Sequence, residues 1–261
     1  MTAVHARPSF FDIMGALVLR EMQSRYGDRG LSYLWGLLEP GLYVSLALIW
    51  FTVTQKVIMV GMPLPLFLMT GIAPYILFYR VDQFVRMSIV ANTGLLYHPA
   101  ISPLHLILGR FFLSAPTELF FICILFLGYY IGWHEPRAIP VDFTPVVESV
   151  GLDFLFALGV GASIAPILIR YPGLGWTLGF LVRVIFVTSG VHYVPDYAPI
   201  RYQSILFWNP MTHIIALFRR GFDPGYPAHL LNPLYALTVG AGMLLLALVL
   251  ERFFGRQWIE A

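Results

Sequence analysis

The sequence predicts an all-α integral membrane protein: an amphipathic interfacial helix at the N-terminus, six transmembrane helices, and two short re-entrant helices between the fifth and sixth crossings. Three observations carry the prediction. Of the 261 residues, 58% are apolar, and mean hydropathy is +0.75. Charged residues make up 11% of the chain, less than half the roughly 25% of a soluble domain, so a water-facing surface cannot be covered. Apolar runs of about 20 residues, the length that spans a hydrocarbon core, alternate with short breaks rich in Gly and Pro.

The same counts exclude several classes. Disorder requires low hydrophobicity and high net charge, and the net charge here is +2. That charge also offers no basic surface for nucleic acid. Cys123 is the single cysteine, so no internal disulfide forms. The only lysine, Lys56, follows Thr-Val-Thr-Gln, whereas a phosphate-binding P-loop needs Gly and Lys together. Any energy from ATP must therefore enter through another subunit. Met1 to Ser9 is polar and Arg20 to Asp28 is charged, unlike a cleavable signal peptide.

In chain order, residues 9–25 read as the interfacial helix. Ser9 and Asp12 form a partial capping box. Phe10, Phe11, Met14, Leu17, Val18 and Met22 fall at helical spacing opposite Arg20, Gln23, Ser24 and Arg25. The segment is too charged to cross and suits the membrane surface. Crossings are expected at 33–55, 66–86, 106–132, 146–170, 174–191 and 233–250. Residues 92–103 break the pattern with Gly94, Pro99 and Pro103. Residues 195–232 are apolar but carry Pro195, Pro199, Pro210, Pro224 and Pro227. An uninterrupted crossing there is disfavoured. Two short helices dipping into the membrane fit better, and irregular backbone at that depth lines a cavity.

Six crossings put both termini on one side with ten of the basic residues. Five lie opposite, and Arg183 lies within the fifth crossing. The bias places the termini in the cytoplasm, so 92–103 is cytoplasmic and 195–232 faces outward.

Arg183 is the sharpest single residue. An unpaired Arg at mid-membrane costs at least about 2.5 to 3.5 kcal/mol and should face a bundle interior or a wet path. It reads as a path-lining cation for an anionic solute, or as a structural partner of Glu118 or Asp153. Arg219 and Arg220 end an amphipathic stretch on the outer side, where they can meet phosphate or sugar carboxylates, or lipid headgroups. Trp208, Tyr193, Tyr197 and Tyr202 lie in the broken outer segment, as rings for stacking on sugars or as part of an interfacial belt. Catalytic and metal-binding signatures are missing. No His-Glu-x-x-His occurs, and Gly161-Ala162-Ser163-Ile164-Ala165 lacks the last Gly of a nucleophile elbow.

Several stretches are familiar. Leu19-Arg20-Glu21-Met22, Arg25-Tyr26-Gly27 and Leu31-Ser32-Tyr33-Leu34-Trp35-Gly36-Leu37-Leu38-Glu39-Pro40 closely resemble the opening of ABC-2 type exporter permeases, in particular the inner-membrane permeases for capsular polysaccharide. Residues 67–74 (Phe-Leu-Met-Thr-Gly-Ile-Ala-Pro), Asn92-Thr93-Gly94-Leu95-Leu96 with Pro103, and Trp208-Asn209-Pro210 with His213, Arg219 and Pro224-Gly225-Tyr226 extend the likeness over most of the chain. Ala216 stands where the family carries an acidic residue.

The resemblance implies the ABC-2 (type V exporter) fold and a homodimer paired with two cytoplasmic ATP-binding subunits, which hold ATP and Mg; this chain needs no cofactor of its own. It implies a bacterial inner-membrane location and export of a lipid-anchored acidic polysaccharide that enters between subunits. A periplasmic co-polymerase and an outer-membrane channel are implied as partners. Residues 92–103 match the coupling helix, with Asn92, Leu95, Leu96, Tyr97 and His98 against the ATPase and Arg20, Glu21 and Arg25 of the interfacial helix nearby. The broken outer segment corresponds to re-entrant helices that close the channel. O-antigen or teichoic acid is the alternative cargo. A membrane enzyme acting on lipid-linked sugars would call for paired acidic residues such as Asp-x-Asp, which the sequence lacks.

Overall fold

The computed structural model describes residues 9–26, 31–54, 61–229 and 231–254, and among them there is no β-strand. Nine α-helices follow in order: α1 Phe10–Tyr26, α2 Leu31–Val53, α3 Leu64–Arg86, α4 Pro103–Trp133, α5 Phe143–Arg170, α6 Leu174–Thr188, α7 Ile200–Phe207, α8 Pro210–Phe222 and α9 Pro233–Phe254. Short 3-10 segments lie at Val90–Tyr97, Pro136–Ala138 and Pro195–Tyr197. Four helical stretches, Leu64–Tyr97, Pro103–Trp133, Phe143–Arg170 and Pro233–Phe253, are long and apolar enough to cross a membrane. Leu38–Val53 and Thr177–Thr188 are shorter apolar helices.

Local chemistry sets the ends. α4 begins at Pro103 rather than at 106, because Pro suits the first helical turn and the Ser102 amide donates to His105 Nδ1 at 3.1 Å. The Asp142 carboxylate accepts from the Thr144 amide at 2.8 Å, which starts α5 at Phe143. α6 stops at Thr188, short of 191, where Gly190 turns left-handed at φ 76°. In α1 the Ser9 amide donates to Asp12 Oδ2 at 2.9 Å, one half of a capping box. Expected residue 55 lies outside the described residues.

α3 and α5 form the centre. Leu66, Phe67, Leu68, Phe78, Val81 and Val85 of α3 are fully buried, as befits a helix apolar on every side. α5 packs on α3, α8 and α9. Its approach to α9 depends on Gly159, where a Cβ would lie 2.8 Å from the Gly240 carbonyl oxygen. Helices in lipid gain by such small-residue contacts, because burying apolar surface from lipid gains little. α8 is held to α5 by Ser149, whose hydroxyl donates to the Ile214 carbonyl at 2.8 Å. α1 packs against α4 through Met14, Leu17 and Glu21. Phe10, Phe11, Leu19 and Met22 stay exposed, leaving an apolar surface on the helix.

Some of the charges inside this apolar body are paired. Arg80 of α3 bridges Glu118 of α4, at 2.7 Å, and Glu39 of α2. Arg86 pairs with Asp82 one turn back on α3. Asp153 of α5 is fully buried, and neither carboxyl oxygen has a hydrogen-bond partner among the described residues.

Candidate functional site

Three polar constructions stand out of the apolar helices, and the first surrounds Arg183. This side chain lies on α6 and lines a cavity of about 170 Å³ between α2, α3 and α6. Tyr43, Tyr75 and Tyr79 supply the aromatic wall. Tyr75 and Tyr79, one turn apart, lie with ring centroids 6.3 Å apart and nearly parallel planes. The Tyr75 ring also meets Phe186 at 4.5 Å, and its hydroxyl donates to the Val182 carbonyl at 3.2 Å. These contacts fix α6 on α3 at the turn that carries Arg183. Among the described residues the guanidinium has no ion-pair partner. Glu118 is engaged by Arg80, and Asp153 faces a separate small space beside Ser149 and Pro74. Neither structural ion pair considered for Arg183 forms in this chain. An exposed cation and three phenol rings, with no carboxylate among the described residues that line the cavity, are chemistry suited to an anionic group.

The second construction joins α1, the 90–97 segment and α4. Arg20 Nη1 donates to Asn92 Oδ1 at 2.9 Å. The Asn92 amide donates to Glu21 Oε1 at 2.7 Å and to the Ser88 carbonyl at 3.0 Å. Arg110 of α4 grips both oxygens of Glu21, at 3.2 and 3.4 Å, and its guanidinium lies 4.5 Å from the Phe84 ring centre. The backbone kinks at Asn92, with φ −131° and ψ 24°, and this turns its amide into the cluster. Beyond the kink Leu95 and Leu96 are half-buried, while His98 and Tyr97, the latter 84% exposed, project outward. Arg25 belongs to α1, but its side chain lies outside the described residues. Sequence reasoning brought Arg20, Glu21 and Asn92 to this end of the molecule and missed Arg110. The only available signal was a charge one to two turns into an apolar helix, which demands a carboxylate without naming it.

The third construction is the proline-broken segment between α6 and α9, expected from the sequence to face outward. Arg219, expected to face a substrate path, is fully buried. It donates to the carbonyls of Gly190 at 2.8 Å, Val191 at 2.7 Å and Phe67 at 3.2 Å, and to the Tyr226 hydroxyl at 3.1 Å. Its carbon lies 3.8 Å from the Phe67 ring centre. Gly71 makes the room, since a Cβ there would lie 2.5 Å from Arg219 Nη2. Arg219 is thus a clamp on the left-handed turn that ends α6, and only its neighbour Arg220 is exposed. Adjacent helical positions point about 100° apart, and that separates two residues that look alike in sequence. The Trp-Asn-Pro corner has a similar task. Asn209 caps α8 by accepting from the Met211 amide at 3.0 Å, and its amide donates to the Ile185 carbonyl and the Thr188 hydroxyl, both at 2.9 Å. Trp208, Tyr197 and Tyr202 present exposed rings. Tyr193 is half-buried, with its hydroxyl on the Val187 carbonyl at 3.1 Å.

No family model matches the chain. Individual relatives do. The polysialic acid transport protein KpsM of Escherichia coli is 27% identical over 212 residues, 81% of either chain. The capsule polysaccharide export inner-membrane protein CtrC of Neisseria meningitidis serogroup A is 28% identical over 243 residues, 92% of this chain and 91% of that one. The O-antigen export system permease protein RfbA of Klebsiella pneumoniae is 22% identical over 223 residues, 82% of each. With its long apolar helices, the chain is similar over most of its length to capsule polysaccharide export inner-membrane proteins.

Proposed function

We propose that this chain is the permease subunit of an ATP-driven exporter that moves a lipid-anchored acidic polysaccharide across the bacterial inner membrane. The observation that carries the reading is Arg183, a cation without an ion-pair partner among the described residues, in a tyrosine-walled cavity between apolar helices, in a chain homologous to capsule exporters. In this reading α2, α3, α4, α5, α6 and α9 cross the membrane, α7 and α8 are re-entrant, and both termini are cytoplasmic. A second copy completes the path, and two ATP-binding subunits hold ATP and Mg. A periplasmic co-polymerase and an outer-membrane channel carry the polymer onward. Nucleotide closure pushes on Leu95, Leu96, Tyr97 and His98. The Arg20–Asn92–Glu21–Arg110 cluster passes that push to α4, and the acidic chain meets Arg183 along its way. Arg220 and the exposed rings of the outer segment lie on the exit side.

The test is deletion of the gene in its host, followed by cell fractionation for acidic polysaccharide. Polymer trapped in the cytoplasm on its lipid anchor supports export and names the cargo as capsule, O-antigen or teichoic acid. Loss of polymer synthesis with no trapped chains overturns the exporter reading in favour of an enzyme.

A further inference from the structure

We propose that the pocket between the α7–α8 corner and the start of α9 is a sugar-binding platform that takes uncharged faces of the glycan. The inference rests on the exporter reading and assigns this pocket a ligand class distinct from that of the Arg183 cavity. The space measures about 640 Å³, within the roughly 300–1,000 Å³ of small-molecule sites. Trp208, a residue 78% exposed, forms an open wall.

The frame around that indole is braced. The Tyr235 hydroxyl donates to the Trp208 carbonyl at 2.7 Å. His213, buried at the base, accepts from the Asn232 amide at Nδ1 (3.2 Å), so Nε2 carries the proton and donates to the Phe207 carbonyl at 2.8 Å. Both ring nitrogens are thereby occupied and the imidazole is neutral. Asn209 locks the adjacent corner to α6. Affinity for a ligand is raised when the site needs no ordering on binding.

The groups left for a ligand are few and specific. The Gln203 amide nitrogen is engaged by the carbonyls of Asp196 and Ala198, which leaves its oxygen as an acceptor. The Asn232 oxygen accepts from the Tyr235 amide, which leaves its side-chain NH₂ as a donor. The Ser204 hydroxyl serves as either. An indole face beside one acceptor, one donor and one hydroxyl matches a pyranose, which has apolar C–H faces and a rim of hydroxyl groups. Among the described residues no Lys, Arg, Asp or Glu lines the pocket, so a carboxylate or phosphate gains no counter-charge from them. An acyl chain would bury the amide and hydroxyl groups without partners, which costs free energy.

The test uses the permease with its ATP-binding partner in phosphatidylcholine nanodiscs and end-labelled oligosaccharides released by hydrolysis from the host's own surface polysaccharide. Expected are binding above that of empty nanodiscs, loss of about tenfold or more in affinity for Trp208→Ala, and retention within about threefold for Trp208→Phe. Ser204→Ala, at an exposed position on the pocket wall, should weaken binding while leaving the melting profile of the complex intact. Binding equal in wild type and Trp208→Ala, or no higher than in empty nanodiscs, overturns the platform and returns Trp208 to the interfacial belt. The exporter reading stands or falls separately on polymer trapped in the deletion strain.

Discussion

The side-chain amide of Asn92 donates to the carboxylate of Glu21 at 2.7 Å, across 71 residues of chain. This bond closes the cluster that ties the N-terminal helix to the segment between α3 and α4. Asn92→Leu strips hydrogen bonds from Arg20 and Glu21 and should cost about 1–3 kcal/mol. Asn92→Asp should be worse, since it sets a second carboxylate against Glu21. Thermal unfolding of the purified permease checks the order: wild type above Leu above Asp. The reverse order of the two variants would remove Glu21 from the cluster's charge balance.

Charge reversal at Arg183 separates a path role from a packing role. Arg183→Glu should abolish surface polysaccharide while the protein still elutes as wild type and retains its ATP-binding partner. Arg183→Lys should keep partial export, because a point charge replaces the planar fork. Normal polysaccharide on cells carrying Arg183→Glu would end the path assignment.

The adjacent arginines of α8 should differ sharply. Arg219→Met leaves the carbonyls of Gly190, Val191 and Phe67 without their donor, and a loss of about 3 kcal/mol or more is expected from buried acceptors left unmet. Arg220→Gln, at an exposed position, should stay within about 0.5 kcal/mol. Melting temperatures in detergent decide; equal shifts would mean that the clamp contributes nothing to the fold.

Sidedness is open to chemistry. In a Cys123→Ala background, Thr93→Cys and Tyr197→Cys should react with a membrane-impermeant maleimide from opposite faces of inverted and right-side-out vesicles. Labelling of both from one face would break the crossing count and the placement of 92–103 in the cytoplasm.

The sequence made the helices legible because apolar runs of sufficient length leave the backbone no other way to satisfy itself in lipid. Their ends were less so. The loss of the last turn of α6 depends on Gly190, one glycine among 23. Arg183 was legible as a cation in an apolar run, but the tyrosines around it come from α2 and α3, more than 100 residues away. Arg219 was misread for the same reason. Its burial needs the space that Gly71 leaves open on α3, and nothing near Arg219 in the chain records that. Arg110 appeared only as one charge among those on its side until packing brought Glu21 to it.

α3 touches two of these constructions at opposite ends. Near its start the Phe67 carbonyl is held by Arg219; near its finish the Phe84 carbonyl receives Arg110 at 3.4 Å. Its 23 residues span about 34 Å, close to the thickness of a bilayer's hydrocarbon core. In the exporter reading proposed above, the helix would act as a pushrod between a handle on the nucleotide side and a latch on the far side. In that reading, force applied at Asn92 would cross only the turn at Met87–Ile89 before it enters the rod. Pro74, near the middle of the rod, has no amide hydrogen to give to the ladder of backbone hydrogen bonds, so that one residue is where such a rod would yield first.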